Sequence, residues 1–239
     1  EEGRAGILAG WSATVQAPLA KPLMDAESRT WTGCHAFPDR WVLEGNAGEV
    51  GSVYRWLKKI LFPESPCDDY AVMEEAAMAT PIGAEGTLAL LGPQLMDMSR
   101  VGLKLGGFFF PVPRTLGQVS RGHLARAFLE NLAFAIRANR ARLEAISGLE
   151  LSDLRLGGGF SQSPLLPQIL ADVLDRPLKV STLPHVTALG AAMAASVAVV
   201  YSDLGEASQA MLPTFQTHEP DVIRAAEYQE CYERWLKLV

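Results

Sequence analysis

Leu156-Gly157-Gly158-Gly159-Phe160-Ser161-Gln162-Ser163-Pro164 lies between two segments of different period. Leu154-Arg155-Leu156 reads as a strand. Leu165, Leu166, Ile169 and Val173 share the buried face of a helix that Ser163-Pro164 starts. Glycines between a strand and a helix let a ligand approach the backbone with no Cβ in the way, and the helix start offers N–H groups to an anion. A nucleotide suits such a place, although a lone glycine-rich turn serves equally well as a tight bend. The dinucleotide pattern GxGxxG is not met, because Gln162 stands where its last glycine would be. The phosphate loop GxxxxGK[ST] is absent as well.

Working outward, Ser120 caps the clearest helix, with Leu124, Phe128, Leu132, Ile136, Leu143 and Ile146 along one stripe and Ser147-Gly148 at its end. Its opposite face carries Arg137, Arg140 and Arg142. Downstream, Leu178 to Ser181 reads as a strand, Ala188 to Val200 as an Ala- and Gly-rich helix, and about Asp221 to Leu238 as a last helix. At the other end, Gly6 to Gly10 and Thr14 to Leu19 flank Trp11-Ser12-Ala13 and read as a hairpin. Arg40 to Glu44 is a third strand. Val50, Val53, Tyr54, Leu57 and Leu61 recur at helical spacing up to Pro63. From 63 to 117 the pattern is irregular, with a helical turn at Glu74 to Met78 and strands at Gly86 to Leu91 and Gly107 to Phe110, and it reads as an insertion or lid. Strands followed by alternating helices and strands give an α/β fold with a mixed sheet.

Composition narrows the partners. The 239 residues are 49% hydrophobic, enough for one sizeable core, and carry a net charge of −6 with no Lys/Arg cluster longer than Lys58-Lys59. That excludes a nucleic-acid or anionic-membrane surface. Three cysteines, Cys34, Cys67 and Cys231, share no CxxC or Cys/His spacing, so neither a disulfide framework nor a zinc site is expected and a reducing cytoplasm fits. The longest apolar run, Leu189 to Val200, is shorter than the roughly 20 residues of a membrane helix. The start at Glu1-Glu2-Gly3, without Met or leader, reads as a piece of a longer chain.

Gly10-Trp11-Ser12-Ala13-Thr14 offers backbone N–H groups and two hydroxyls at a turn that could receive phosphate oxygens, though a hairpin with Ser and Thr is usually only a hairpin. His35, His123, His185 and His218 are far apart and accompany no nucleophile elbow or HExxH, so core or surface roles are expected of them. Glu130, Glu144, Asp153 and Asp172 fall on helix faces or at helix starts, where solvated or capping roles are the default. Trp31, Trp41, Trp56 and Trp235 read as packing residues, and Trp11 stands out by its place in the turn.

In this order the residues resemble a family. Gly157-Gly158-Gly159, then Gln168 to Leu174, then Ala188-Leu189-Gly190-Ala191-Ala192-Met193-Ala194-Ala195 are similar to the C-terminal signature of FGGY carbohydrate kinases. Gly122 to Phe134 resembles the helix before the glycine loop, Gly83 to Leu88 the strand that opens the insertion, and the first hairpin the phosphate-contacting turn. These five ordered blocks and the hairpin span nearly the whole chain.

The resemblance implies the second lobe of the actin-like, ribonuclease H-like ATPase fold, a mixed sheet flanked by helices. Residues 1–239 would form the C-terminal nucleotide-binding lobe, with the insertion at about 63–117 and the N-terminal sugar-binding lobe outside the chain. ATP would lie between two lobes and pass its γ-phosphoryl to a sugar or polyol hydroxyl. Gly157, Gly158 and Gly159 would lie against the ribose and α-phosphate, Ser161 and Gln162 beside the adenosine, and Gly10, Trp11 and Ser12 at the terminal phosphates. Mg²⁺ would be held through those phosphates and by carboxylates of the other lobe, with no metal ligand in this chain.

The family's catalytic base is an Asp shortly before the phosphate turn. Only nine residues precede Gly10 and none is Asp, so the chain supplies no catalytic residue and is expected to be inactive alone. The implied partners are a small sugar or polyol and the protein's own N-terminal lobe, with no nucleic acid and no membrane, and a homodimer is compatible. Three positions depart from the pattern: Ala9-Gly10-Trp11-Ser12 lacks the usual Thr beside its Gly, Gly92-Pro93-Gln94-Leu95 replaces Gly-Glu-Arg-x-Pro, and Pro111 follows the Phe run. They keep open an alternative, a catalytically silent nucleotide-binding or scaffold domain derived from a kinase. Gly158→Val is expected to weaken ATP binding by obstructing the ribose and phosphates.

Overall fold

A computed structural model describes residues 3–66, 69–99, 105–112, 118–197 and 199–239. Nine strands and seven helices are found among them: β1 Arg4–Ala9, β2 Ser12–Leu19, β3 Trp31–Cys34, β4 Trp41–Glu49, α1 Gly51–Leu61, α2 Ala71–Met78, β5 Leu88–Leu90, β6 Gly107–Phe109, α3 Arg121–Ser147, β7 Asp153–Gly157, α4 Leu166–Leu174, β8 Leu178–Ser181, α5 Val186–Ser196, α6 Leu204–Ala210, β9 Phe215–His218 and α7 Val222–Leu236. Seven strands form one mixed sheet in the order β3-β4-β2-β1-β7-β8-β9, while β5 and β6 pair separately. β3, β4, β2 and β1 pair antiparallel in turn, β1, β7 and β8 pair parallel, and β9 pairs antiparallel with β8.

Period-2 alternation builds the centre. In β1, Ala5, Ile7 and Ala9 are buried while Arg4, Gly6 and Leu8 are partly covered, so one sheet face meets the helical layer. Into that layer α3 brings Phe128, Leu132, Ile136 and Leu143, each completely buried. Burying a Phe or Leu of this kind contributes about 1.5–3 kcal/mol. The helix starts where the sequence places it: Ser120 N donates to His123 Nδ1 at 3.1 Å, so His123 takes the place that Glu or Gln holds in a capping box. Gly148, left-handed at φ 71°, ends it.

Of the Arg137, Arg140 and Arg142 face of α3, Arg140 is buried and the other two are partly covered. Arg126, Glu130, Asn131, Asn139 and Arg140 are buried, because α2, α7 and the segment after β5 cover the side turned from the sheet. Asn131 Oδ1 accepts from Trp235 Nε1 at 2.8 Å and its Nδ2 donates to Pro93 O at 3.1 Å. Asn139 donates to Gln94 O at 3.0 Å and accepts from Met96 N at 3.1 Å. Glu130 and Asp172, expected at solvated or capping positions, are 1% and 2% exposed. Each is paired, Glu130 with Arg126 at 2.8 Å and Asp172 with Arg224 at 2.6 Å, since a buried carboxylate needs a cation or several donors. The stretch expected to be a lid is therefore tied to α3 at α2 and at residues 93–96, and residues 67–68, 100–104 and 113–117 of it lie outside the described residues.

Three elements escape the period reading. β3 is an exposed edge strand, β9 closes the other edge and α6 spans only seven residues, and in none does burial impose an apolar pattern. Two helices also shift, α4 beginning at Leu166 and α5 running from Val186 to Ser196.

At the start of β7, Asp153 receives Lys179 Nζ at 2.9 Å and Arg4 Nε at 2.9 Å from the parallel strands on either side, and Arg155 of its own strand at 3.1 Å. Burial pushes its carboxyl up, and the hydrogen bonds of the three cations outweigh that and hold it well below the usual carboxylate range. The unfolded chain then binds the proton more readily than the folded one. This contribution is present above the ordinary Asp value of about 4 and is lost as pH falls below it. Asp153→Asn is expected to flatten the decline in thermal midpoint between about pH 5 and pH 2, read by circular dichroism melts.

Candidate functional site

The hairpin turn, the N-terminus of α1 and the glycine loop meet at one end of the sheet. Gly10 N donates to Ser12 O at 2.9 Å, closing the turn, and Trp11 O accepts from Val50 N at 2.9 Å and Gly51 N at 3.0 Å. A Cβ on Gly51 would stand 2.8 Å from Gly10 O, so α1 begins in direct backbone contact with the turn. A Cβ on Gly10 would be 4.0 Å from Gly159 N, which brings the two sequence-distant turns together.

The three loop glycines have three different reasons. A side chain on Gly157 would strike Val186 of α5 at 2.6 Å. Gly158 has φ 96° and its Cβ would lie 2.5 Å from Ala9 O, so it lets β7 leave the sheet beside the end of β1. Gly159 is exposed, and a Cβ there meets nothing within 4 Å. Of the three, Gly159 alone leaves open space beside its backbone. For Gly158→Val the first obstruction is therefore within the fold, where the valine would clash with Ala9 backbone.

Gly10, Gly51 and Gly159 open onto a cleft of about 670 Å³, whose further walls are Tyr54 of α1, Tyr70 to Met78 around α2, and Phe160, Gln162, Ser163 and Pro164. That volume falls within the range of pockets that hold small molecules and cofactors. Of the eight residues singled out from the sequence, Gly10, Gly159 and Gln162 line the cleft. Gly157 and Gly158 shape the loop from behind. Ser161 is buried, its Oγ accepting from Gln162 Nε2 at 3.1 Å. Trp11 is 72% exposed at the tip of the turn, and Ser12 begins β2 opposite Glu49. Ser163 lies in the turn that leads into α4, whose N-cap is Leu165, and its Oγ accepts from Leu165 N and Leu166 N at 3.2 and 3.0 Å.

Sequence reasoning missed the inner wall. Tyr54 stacks on Tyr70 with ring centroids 5.2 Å apart and tilts against Phe160 at 5.1 Å. Its hydroxyl donates to Glu74 Oε1 at 2.7 Å, and Ser163 Oγ donates to Glu74 Oε2 at 2.9 Å. Burial raises the Glu74 carboxyl above the ordinary range against the lowering effect of those two hydroxyls, and it likewise carries the Tyr54 phenol far up. Glu74 and Tyr54 are 20 residues apart, on helices whose proximity no local pattern announces. Among the described residues no three or more His, Cys, Asp or Glu side chains are grouped as metal ligands, and no helix is long and apolar enough to cross a membrane.

A mixed sheet of this order, with a hairpin turn and a glycine loop on one cleft, defines a lobe of the actin-like, ribonuclease H-like ATPase fold. The chain belongs to the FGGY family of carbohydrate kinases: residues 6–199 match the model of the family's C-terminal domain. It is 27% identical over 251 residues to an autoinducer-2 kinase of Yersinia enterocolitica, covering 98% of this chain and 46% of that protein. Xylulose kinase from Rhodospirillum rubrum superposes with a TM-score of 0.81 at 27% identity, over 100% of this chain and 47% of that one. Plasmodium falciparum glycerol kinase shares the fold, with a TM-score of 0.74 at 20% identity over 99% of this chain and 47% of its own. The chain spans about half the length of the curated relatives it matches.

Proposed function

We propose that this chain is the nucleotide-binding lobe of a cytoplasmic enzyme that transfers the γ-phosphoryl of ATP to a hydroxyl of a sugar or polyol. The observation that carries the reading is the convergence of the Gly10 turn and the open face of Gly159 on one cleft of nucleotide size. ATP supplies the phosphoryl group when bound. The backbone at Gly10 and Gly159 is close enough for one polyphosphate to span both, and phosphoryl transfer asks mainly for such positioning and charge neutralisation. Gln162 and the ring wall beyond it would flank the nucleoside. Mg²⁺ fits as a companion of the phosphates with ligands from the other half of the protein, and the base that takes the hydroxyl proton is assigned there too.

A second feature supports a partner lobe. α5 has no buried residue, although apart from Thr187 and Ser196 it is built of Val, Ala, Leu, Gly and Met. No Asp, Glu, Lys or Arg occurs between Lys179 and Asp203, and Val199 and Val200 just beyond α5 are 85% and 70% exposed. An uncharged, apolar face of this kind is a contact surface. With about half of the relatives' length outside this chain, we assign the first lobe as its occupant.

The test uses the full-length protein: sugar-stimulated ADP release across a panel of ketoses and polyols is expected, and ATP binding without turnover on any of them would favour the silent scaffold instead. Ala191→Glu with Ala195→Glu, both exposed in this chain, should cut turnover by at least about tenfold, ~1.4 kcal/mol, with little change in ATP affinity. Unchanged turnover would free α5 from the interface.

A further inference from the structure

The inner wall of the cleft carries a group that phosphate binding does not use. Glu74 is 5% exposed, lines the cleft, and pairs with no Arg or Lys among the described residues. A buried carboxyl held only by hydroxyls is costly, and packing alone would be served better by an apolar residue of the same size. Its two partners come from opposite walls, Tyr54 from α1 and Ser163 from the loop before α4, so the carboxyl plane is fixed across the end of the cleft. Each carboxylate oxygen accepts two hydrogen bonds and uses one here, leaving acceptor capacity for a donor that enters the cleft. Around it stand flat apolar surfaces, the Tyr54 and Tyr70 rings stacked at an interplanar angle of 13° and Phe160 tilted by 56° against Tyr54. An acceptor beside aromatic faces matches a flat heterocycle with an amino group at its edge.

We propose that Glu74 is a specificity-determining residue that accepts a hydrogen bond from the exocyclic 6-amino group of a purine nucleotide, with Tyr54 and Ser163 as the positioning residues that aim its carboxyl. This rests on the reading that the cleft holds a nucleotide. A 6-oxo purine in the same place turns a carbonyl oxygen toward the acceptor, leaving two acceptors facing each other with no proton between them. Inosine triphosphate, which differs from ATP at that position, is therefore the discriminating probe.

The experiment measures dissociation constants of ATP and inosine triphosphate on the full-length protein by calorimetry. The parent should prefer ATP by roughly tenfold or more, the scale of one charge-assisted hydrogen bond. Glu74→Gln keeps the shape, offers an amide N–H to a 6-oxo group, and should bring the ratio near one, chiefly by weakening ATP. Tyr54→Phe keeps the ring stack and removes only the donor that aims the carboxyl, so the ratio should fall part of the way even if Glu74→Gln fails to fold. A role confined to holding α1, α2 and α4 together would lower the melting temperature of both variants and leave the ratio unchanged, and that result overturns the proposal. Equal binding of the two nucleotides by the parent overturns it too, while the nucleotide reading survives. Binding of neither nucleotide sinks the reading and this inference with it.

Discussion

Gly159→Val should lower ATP affinity by roughly a hundredfold, about 2.7 kcal/mol, in a protein that folds as the parent does. The argument is local. Gly159 has no left-handed backbone requirement, and a Cβ there meets nothing within 4 Å, so the fold has room for the side chain, whereas a nucleotide in the cleft that Gly159 lines would collide with it. Calorimetry should show the loss with a melting temperature within about 4 °C of the parent, the equivalent of ~1 kcal/mol for a domain of this size. Gly158→Val is the contrasting variant. At φ 96°, with Ala9 O 2.5 Å from the new Cβ, it combines backbone strain with a clash against a central strand, and the expected result is poor folding by several kcal/mol. A stable Gly158→Val protein with selectively lost ATP binding would return the ligand-facing role to Gly158.

The second large effect concerns the ion pair beneath the cleft wall. Arg126 donates to Glu130 Oε1 at 2.8 Å, to Thr80 O at 2.9 Å and to Tyr228 Oη at 2.7 Å, and Glu130 Oε1 also accepts from Gly83 N at 2.9 Å. These bonds tie the end of α2, the left-handed turn at Gly83 and α7 to α3. Burial pushes the Glu130 carboxyl up and Arg126 opposes it. Arg126→Leu leaves the carboxyl buried and unpaired and should cost about 3–5 kcal/mol, read from urea midpoints. Arg126→Leu with Glu130→Leu removes both charges and should recover most of that loss. Additive losses would mean that the two residues act separately. Because α2 carries Glu74, the single variant should also weaken nucleotide binding.

Much of the fold was legible along the chain because burial repeats at 2 or 3.6 residues: β1, β2, α1, α3 and β7 all appear at or within a few residues of their sequence-read positions. β3, β9 and α6 were not legible, since an edge strand or a short exposed helix is under no such constraint. The face of α3 was misread for the opposite reason. Arg140 and Glu130 read as solvated positions, yet both are buried, and Asn131, Asn139 and Arg126 beside them meet Trp235, Gln94 and Thr80.

For the glycine loop, the sequence alone determined that backbone must pass close to something between β7 and α4, because three adjacent residues without Cβ report crowding or a ligand. Which of the two applied at each position was decided by the tertiary structure. Val186 crowds Gly157, Ala9 crowds Gly158, and open space faces Gly159, because α5, the end of β1 and α2 arrive there from 29, 149 and about 80 residues away in the chain. The same folding sets Glu74 between Tyr54 and Ser163, a neighbourhood made by contacts across the chain and so invisible to any local pattern.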